Sequence, residues 1–530
     1  MDHQAALSRA AAALGLAVAM VVSCKQTASR LPPLGEVLVV VDTDLPAPAI
    51  ASHLRVDLYA EDGTWYESRS LAVPDPTRWP LSFSVYSSDE SKDTRVLVRL
   101  RVYPDGRERD YRGERYEPLL RDTGSDAGDD AGTDAGDDAG APDAGPRLNR
   151  GDDAGSATPV TEPLPRLTVD RLVLLRVTPG VRGRVVAVLR GACAGTMARL
   201  ANESYAAPIF GQARTCTDTE GVTTPLTEER LDSDLQAPVP SQVNTFGAEQ
   251  PCAADAGPNA VCIHSGAFIL GGPRFGDVNV TSTMPDRVVR MSRFYIDREE
   301  VTVARYRDAL TGPPTELVAA PDTFQPLNGS ACPFTTLPGP QDALPMACLS
   351  WDGARAYCQG RGGDLPTEAQ WEFAATTGDP RYKPRFPWGD DDPACDGATF
   401  GRAYANVRLD KSPTGRDCVA TATRPPGPRV APSTGDQDVS ALGILGLAGG
   451  VSEWTLDAAF SYSDDCWRLA PTRDPECVVP GRNSRSVRGG SWRSPPGQLD
   501  TLARQNLTKN EPFIDYVGFR CVYSAYPGAK

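Results

Sequence analysis

Thirteen cysteines in a chain of 530 residues constrain its fold more than any other feature. The first, Cys24, closes an N-terminal segment with the marks of an export signal: Arg9 near the start, an apolar run from Ala10 to Val22, then Ser23-Cys24. The run is too short to cross a bilayer as a helix. The twelve cysteines beyond it are an even number in an exported chain, for which disulfides are the default. Their spacing suggests local pairs: Cys193 with Cys216, Cys252 with Cys262, Cys332 with Cys348, Cys395 with Cys418, and Cys466 with Cys477. Cys358 and Cys521 remain. The clustered CxxC spacing that a zinc site needs is absent.

Small residues leading into Cys24 have the form of a bacterial lipobox, so residues 1–23 read as a lipoprotein signal peptide and Cys24 as the lipidated N-terminus. The alternatives are an ordinary signal cleaved nearby or an uncleaved anchor. Acyl chains on Cys24 would give stable anchoring, at about 0.8 kcal/mol per buried methylene. The membrane is then a partner through this lipid, and the expected location is the bacterial cell envelope. A net charge of −15 with no basic stripe excludes a nucleic-acid surface. Much of that charge is local: ten Asp stand against two Arg between Asp122 and Gly155. This Asp/Ala/Gly-rich insert, residues 121–159, has nothing to bury and is expected to be disordered. It lacks the glutamate and apolar anchor of a calcium-binding EF-hand loop.

On either side of the insert the pattern has period two. Val96, Val98, Leu100 and Val102 alternate with Arg99 and Arg101, a half-buried strand. Similar runs occur at residues 37–41, 54–59, 81–86, 172–177 and 184–189, with turn signals such as Asp62-Gly63 between them. With no helical period among them, they predict an antiparallel β-sandwich over residues 24–120 and 160–216. It holds no catalytic constellation, which leaves a spacer or adhesion-like role. Residues 217–260 read as a polar linker.

From residue 261 to 526 a series of short motifs follows in order. Gly266-Ala267-Phe268-Ile269-Leu270-Gly271-Gly272 comes first, then Phe294-Tyr295-Ile296-Asp297 with Glu300-Val301-Thr302. Leu365-Pro366-Thr367-Glu368-Ala369-Gln370-Trp371-Glu372-Phe373 carries a capping box in Thr367 and Gln370. Phe386-Pro387-Trp388-Gly389, Gly449-Gly450-Val451-Ser452-Glu453-Trp454-Thr455, Gly489-Gly490-Ser491-Trp492 and Gly518-Phe519-Arg520-Cys521 complete the set. Together they resemble the formylglycine-generating enzymes, also called sulfatase-modifying factors. The resemblance implies an α+β, coil-rich fold distantly like a C-type lectin, and it pairs Cys358 with Cys521.

In that family two cysteines after the Gly-Gly-Ser hold copper(I), where oxygen is activated and a substrate cysteine is oxidised. Here that loop contains no cysteine, and Ser494 and Leu499, the nearest residues in it, cannot supply a soft thiolate, so copper is not expected. A second family disulfide is lost at both ends, Ala375 and about Thr501. The resemblance also implies structural calcium. One set of ligands is the side chains of Asn406 and Asp417 with the carbonyls of Val407 and Val419; an ordinary Asx-turn loop is the alternative. A second set matches at Gly449, Val451 and Glu453, but its Asn position falls on Gly446, and Glu453 reads equally as a buried hydrogen-bonding residue.

A candidate binding groove lies near Ser491, Trp492 and Arg504, with Trp492 either platform or core and Arg520 either clamp or support. A serine nucleophile needs a base, and His3, His53 and His264 are the chain's three histidines. Two expectations result. One is a non-catalytic binding or structural module for a protein, peptide or glycan; the other is an oxidoreductase or maturation enzyme acting on an exported protein.

Overall fold

The computed structural model of the chain describes residues 35–61, 65–87, 91–110, 161–200, 213–248, 250–252, 259–273, 282–311, 332–376, 383–402, 418, 427–429, 437–509 and 514–524. The export signal with Cys24 and the Asp/Ala/Gly insert lie outside them.

The first region is built from two sheets. Leu81–Tyr86, Glu36–Thr43 and Arg182–Leu189 form one, in that spatial order; Trp65–Ala72, His53–Tyr59, Thr94–Tyr103 and Val169–Val177 form the other. Alternate residues of both, among them Val37, Val39, Val41, Leu54, Val98 and Leu100, meet in a single apolar core. The expectation of purely antiparallel pairing needs correction at one place. Glu36–Thr43 runs parallel to Arg182–Leu189, because the chain returns to that edge only after the insert and the whole second sheet.

The arginine face of Thr94–Tyr103 is also not the exposed side of a half-buried strand. Arg99 and Arg101 are buried. Arg99 pairs with Asp170, and Arg101 pairs with Asp57 and Glu162. A second apolar cluster of Tyr59, Leu97, Leu172, Leu174, Ala198 and Ala213 covers that face. The segment read as a linker packs back as well: Arg176 and Arg171 pair with Glu228 and Glu229, and Phe246 joins the main core.

The second region has four helices among its described residues, Val303–Thr311, Trp351–Gly360, Glu368–Thr376 and Asp465–Arg468. Their starts follow local chemistry. The Ser350 hydroxyl accepts from the Gly353 N–H at 3.1 Å. Thr367 and Gln370 exchange reciprocal bonds, the Gln370 N–H to the Thr367 hydroxyl at 3.0 Å and the Thr367 N–H to the Gln370 side chain at 2.9 Å. A four-stranded sheet of Arg504–Thr508, Ser484–Arg488, Ser452–Ala458 and Val517–Gly518 lies beside them. All six disulfides form, including Cys358–Cys521 across 163 positions.

A hairpin of Gly266–Leu270 and Arg287–Met291 joins the two regions. Its strands alternate: Phe268, Leu270, Val289 and Met291 enter the second region's core, while Ala267, Ile269 and Val288 turn toward the first. Arg107 of the first region pairs with Asp286 at 3.2 Å beside it.

Candidate functional site

The loop that would carry the chemistry leaves strand Ser484–Arg488 through two glycines with positive φ, 90° at Gly489 and 69° at Gly490. Only glycine serves there, because a Cβ would stand 2.6 Å from the Leu447 carbonyl or 2.6 Å from the Gln498 carbonyl. The turn sends Ser491 and Trp492 inward, at 1% and 2% exposure. The Ser491 N–H donates to the Ser494 hydroxyl at 3.0 Å, and the Ser494 N–H to the Ser491 carbonyl at 2.9 Å. The Trp492 indole N–H donates to the Asp515 carbonyl at 3.2 Å.

Leu499, fully buried, packs with Phe386, Ala398, Phe400, Cys418 and Ala448. The copper loop therefore holds a hydroxyl tied into its own turn and a core leucine. Every described cysteine is in a disulfide, so no thiolate is offered. The residues present do not fit a copper centre.

Arg504 is likewise committed. Its guanidinium makes two bonds of 2.6 Å to Glu368 and lies over the Tyr462 ring. The groove expected at Ser491, Trp492 and Arg504 is thus corrected to packed interior: one hydroxyl, one indole and one ion pair, each satisfied within the protein.

Sequence reasoning missed the charge cluster beside it. Glu368 and Glu372 stand one helical turn apart and face Arg488, Arg504 and Lys383. Glu372 also accepts the Gly271 N–H at 2.7 Å. Burial pushes the Glu372 carboxyl up, but Lys383 and Arg488 outweigh this and hold it below its usual range. Asp457 accepts the N–H groups of Glu368 and Cys477, and burial with the nearby Glu368 charge pushes its carboxyl up to about 7. The available signal was Glu368 and Glu372 at i and i+4, on a helix otherwise apolar around Trp371 and Phe373. Two like charges on a buried face require cations.

A second cluster surrounds the fully buried Arg520. It donates to Glu453 at 2.8 Å and to the carbonyls of Asp297, Arg298, Leu445 and Gly446. The other Glu453 oxygen accepts the Trp371 indole N–H at 2.8 Å. The space a side chain at Gly446 would need is filled: a Cβ there would lie 2.6 Å from the Glu300 carboxyl. Burial pushes Glu300 well above the carboxylate range and Asp438 to about 8. Of the second calcium set, Gly449 and Val451 are in place. Glu453, however, is already neutralised by a guanidinium, and position 446 offers no oxygen from a side chain. These residues do not fit a calcium ion. The first set, Asn406, Val407, Asp417 and Val419, lies outside the described residues.

Comparison with known proteins finds relatives of the second region. A family profile described as the sulfatase-modifying factor enzyme 1-like domain matches residues 245–525. The formylglycine-generating enzyme of Streptomyces coelicolor is 27% identical over 312 residues, covering 52% of this chain and 94% of that protein. A mouse protein named inactive C-alpha-formylglycine-generating enzyme 2 is 32% identical over 187 residues, 34% of this chain and 50% of its own. Among solved structures, PvdO from Pseudomonas aeruginosa aligns over 51% of this chain and 95% of its own, with 21% identity and a TM-score of 0.37. Because the profile match takes in just over half of the sequence and contains every motif that carried the resemblance, this chain belongs to the sulfatase-modifying factor family.

Proposed function

We propose that this chain is an exported lipoprotein, held at the cell envelope through Cys24, whose family domain binds or supports rather than oxidises. One observation carries the reading. The loop that would grip a cuprous ion offers a self-bonded serine and a core leucine, and the described cysteines are all in disulfides. A copper(I) centre needs soft sulfur donors, and none is offered. The similarity to a mouse relative named as inactive supports the same reading. The two-sheet first region acts as a spacer, and the ligand is a protein, peptide or glycan outside the cell. Calcium, in this reading, belongs to Asn406, Val407, Asp417 and Val419 alone.

The test is metal content with oxygen uptake. The oxidised, mature protein is expected to hold calcium but no stoichiometric copper, and to consume no oxygen with a cysteine peptide. Stoichiometric copper together with turnover would replace this reading with a maturation oxidase.

A further inference from the structure

The hairpin of Gly266–Leu270 and Arg287–Met291, the short helix Asp465–Arg468 and the turn Pro165–Leu167 of the first region surround a cavity of about 50 Å³. Arg166, Arg287 and Arg468 line it with the rings of Tyr462 and Trp467, and among the described residues no carboxylate does. Three arginines lining one small space are a set of like charges that an entering anion would relieve.

The described acids nearest in sequence each face an arginine. Asp286 pairs with Arg107 at 3.2 Å, and Asp465 pairs with Arg468 at 2.7 Å. That last pair is exposed on both sides, so it leaves Arg468 available to a better partner. Arg287 donates to two neutral carbonyls, Ala470 at 3.0 Å and Pro471 at 3.3 Å. A guanidinium carries five N–H donors, and the charge of Arg287 meets no carboxylate among its described partners. Burial holds it below its usual pKa, the direction expected of a cation lacking a counter-ion.

Trp467 adds an independent sign. It is 1% exposed, and its indole N–H has no acceptor among the described residues. Buried donors are nearly always satisfied, so a bound acceptor would complete this one. The cavity is several times the roughly 10–15 Å³ that one water needs, which is room for a group of a few heavy atoms.

We propose that this cleft binds the oxyanion group of a small ligand, a carboxylate, sulfate or phosphate, between Arg166, Arg287 and Arg468, with the Trp467 indole as a further donor. The bound group touches both regions of the molecule. Its recognition is independent of whether the family domain catalyses anything.

Calorimetric and thermal-shift titration of the full oxidised chain tests it. Sodium sulfate, phosphate and acetate are each compared with sodium chloride at matched ionic strength. At least one oxyanion should bind saturably and raise the melting temperature beyond the chloride control. Arg287→Met should weaken that binding by about tenfold or more, the loss expected of a charge-assisted contact. Arg166→Gln, an exposed change that spares folding, should weaken it about several-fold. Preference for sulfate or phosphate identifies a tetrahedral ester or acid, and preference for acetate a carboxylate ligand; either result supports the site. A response no greater than that of chloride, or binding unchanged in both variants, overturns it.

Discussion

Both halves of this protein bury charge, and they do so by different means. In the first region most of the ions sit on one sheet, where strand register fixes their spacing. Asp57 lies opposite Arg99, and Arg101 lies opposite Asp170, yet these four residues pair diagonally: Arg99 with Asp170 and Arg101 with Asp57. In the second region Glu368 and Glu372 come from a helix, and Arg488 and Arg504 from two strands more than a hundred positions further along. Such a cluster forms only after distant segments have docked. The first network is set mainly by register within a sheet, while the second depends on docking between a helix and a sheet in a coil-rich fold.

The largest expected effect comes from removing the longest-range disulfide of the second region. Replacing both Cys358 and Cys521 by Ser should lower stability by about 5 kcal/mol, the loop-entropy estimate for so long a closure. Urea unfolding of the variant measures it, and a loss under about 1 kcal/mol would show that packing alone closes the domain. Next, Arg488→Met should cost about 3–5 kcal/mol, since it leaves Glu372 and Glu368 short of a fully buried cation.

The comparison sharpens with Arg101→Met in the sheet. Arg55 lies 3.2 Å from Asp57 and 3.4 Å from Glu162, so it can take over part of the role. The expected cost is smaller, about 2 kcal/mol. Equal losses for Arg101→Met and Arg488→Met would erase the distinction between the two networks.

Acidity adds a further test in the second region. Asp457 and Asp438 are pushed up to about 7 and about 8 in the folded chain, chiefly by burial, from an ordinary value of 3.8. Each binds its proton more tightly when folded, so its contribution to stability is full below about pH 4 and is lost as pH rises toward 8. The slope is at most about 1.4 kcal/mol per pH unit for each proton. Urea midpoints between pH 5 and 8 should fall as pH rises, and Asp438→Asn should flatten the upper part of that curve. Smallest of all, Thr367→Ala should cost about 1 kcal/mol by removing half of the capping box.

What the sequence made legible was local. The Thr367–Gln370 capping box, the period-two strands and the short disulfides depend on residues a few positions apart, and each is present in the fold. What escaped it depends on segments brought in from afar. Burial of Arg99 and Arg101 requires the strand Thr161–Pro163 and the cluster around Ala198 and Ala213, beyond the insert. The parallel pairing of Glu36–Thr43 follows from the same long excursion. At Ser494 and Leu499 the missing thiols were plain in the letters, but that the vacated ground is filled by a closed turn and a packed side chain was not.

The hairpin Gly266–Leu270 and Arg287–Met291 bears on how this molecule can be divided. Because its two strands offer Ala267, Ile269 and Val288 to one half and Phe268, Leu270 and Val289 to the other, it is a party wall rather than a hinge. A fragment begun at residue 261 would carry away a greasy stripe stripped of its cover, and the half left behind would lose part of its floor. Recombinant pieces cut there should clump, and any pull on one end of the chain must reach the other through that shared partition.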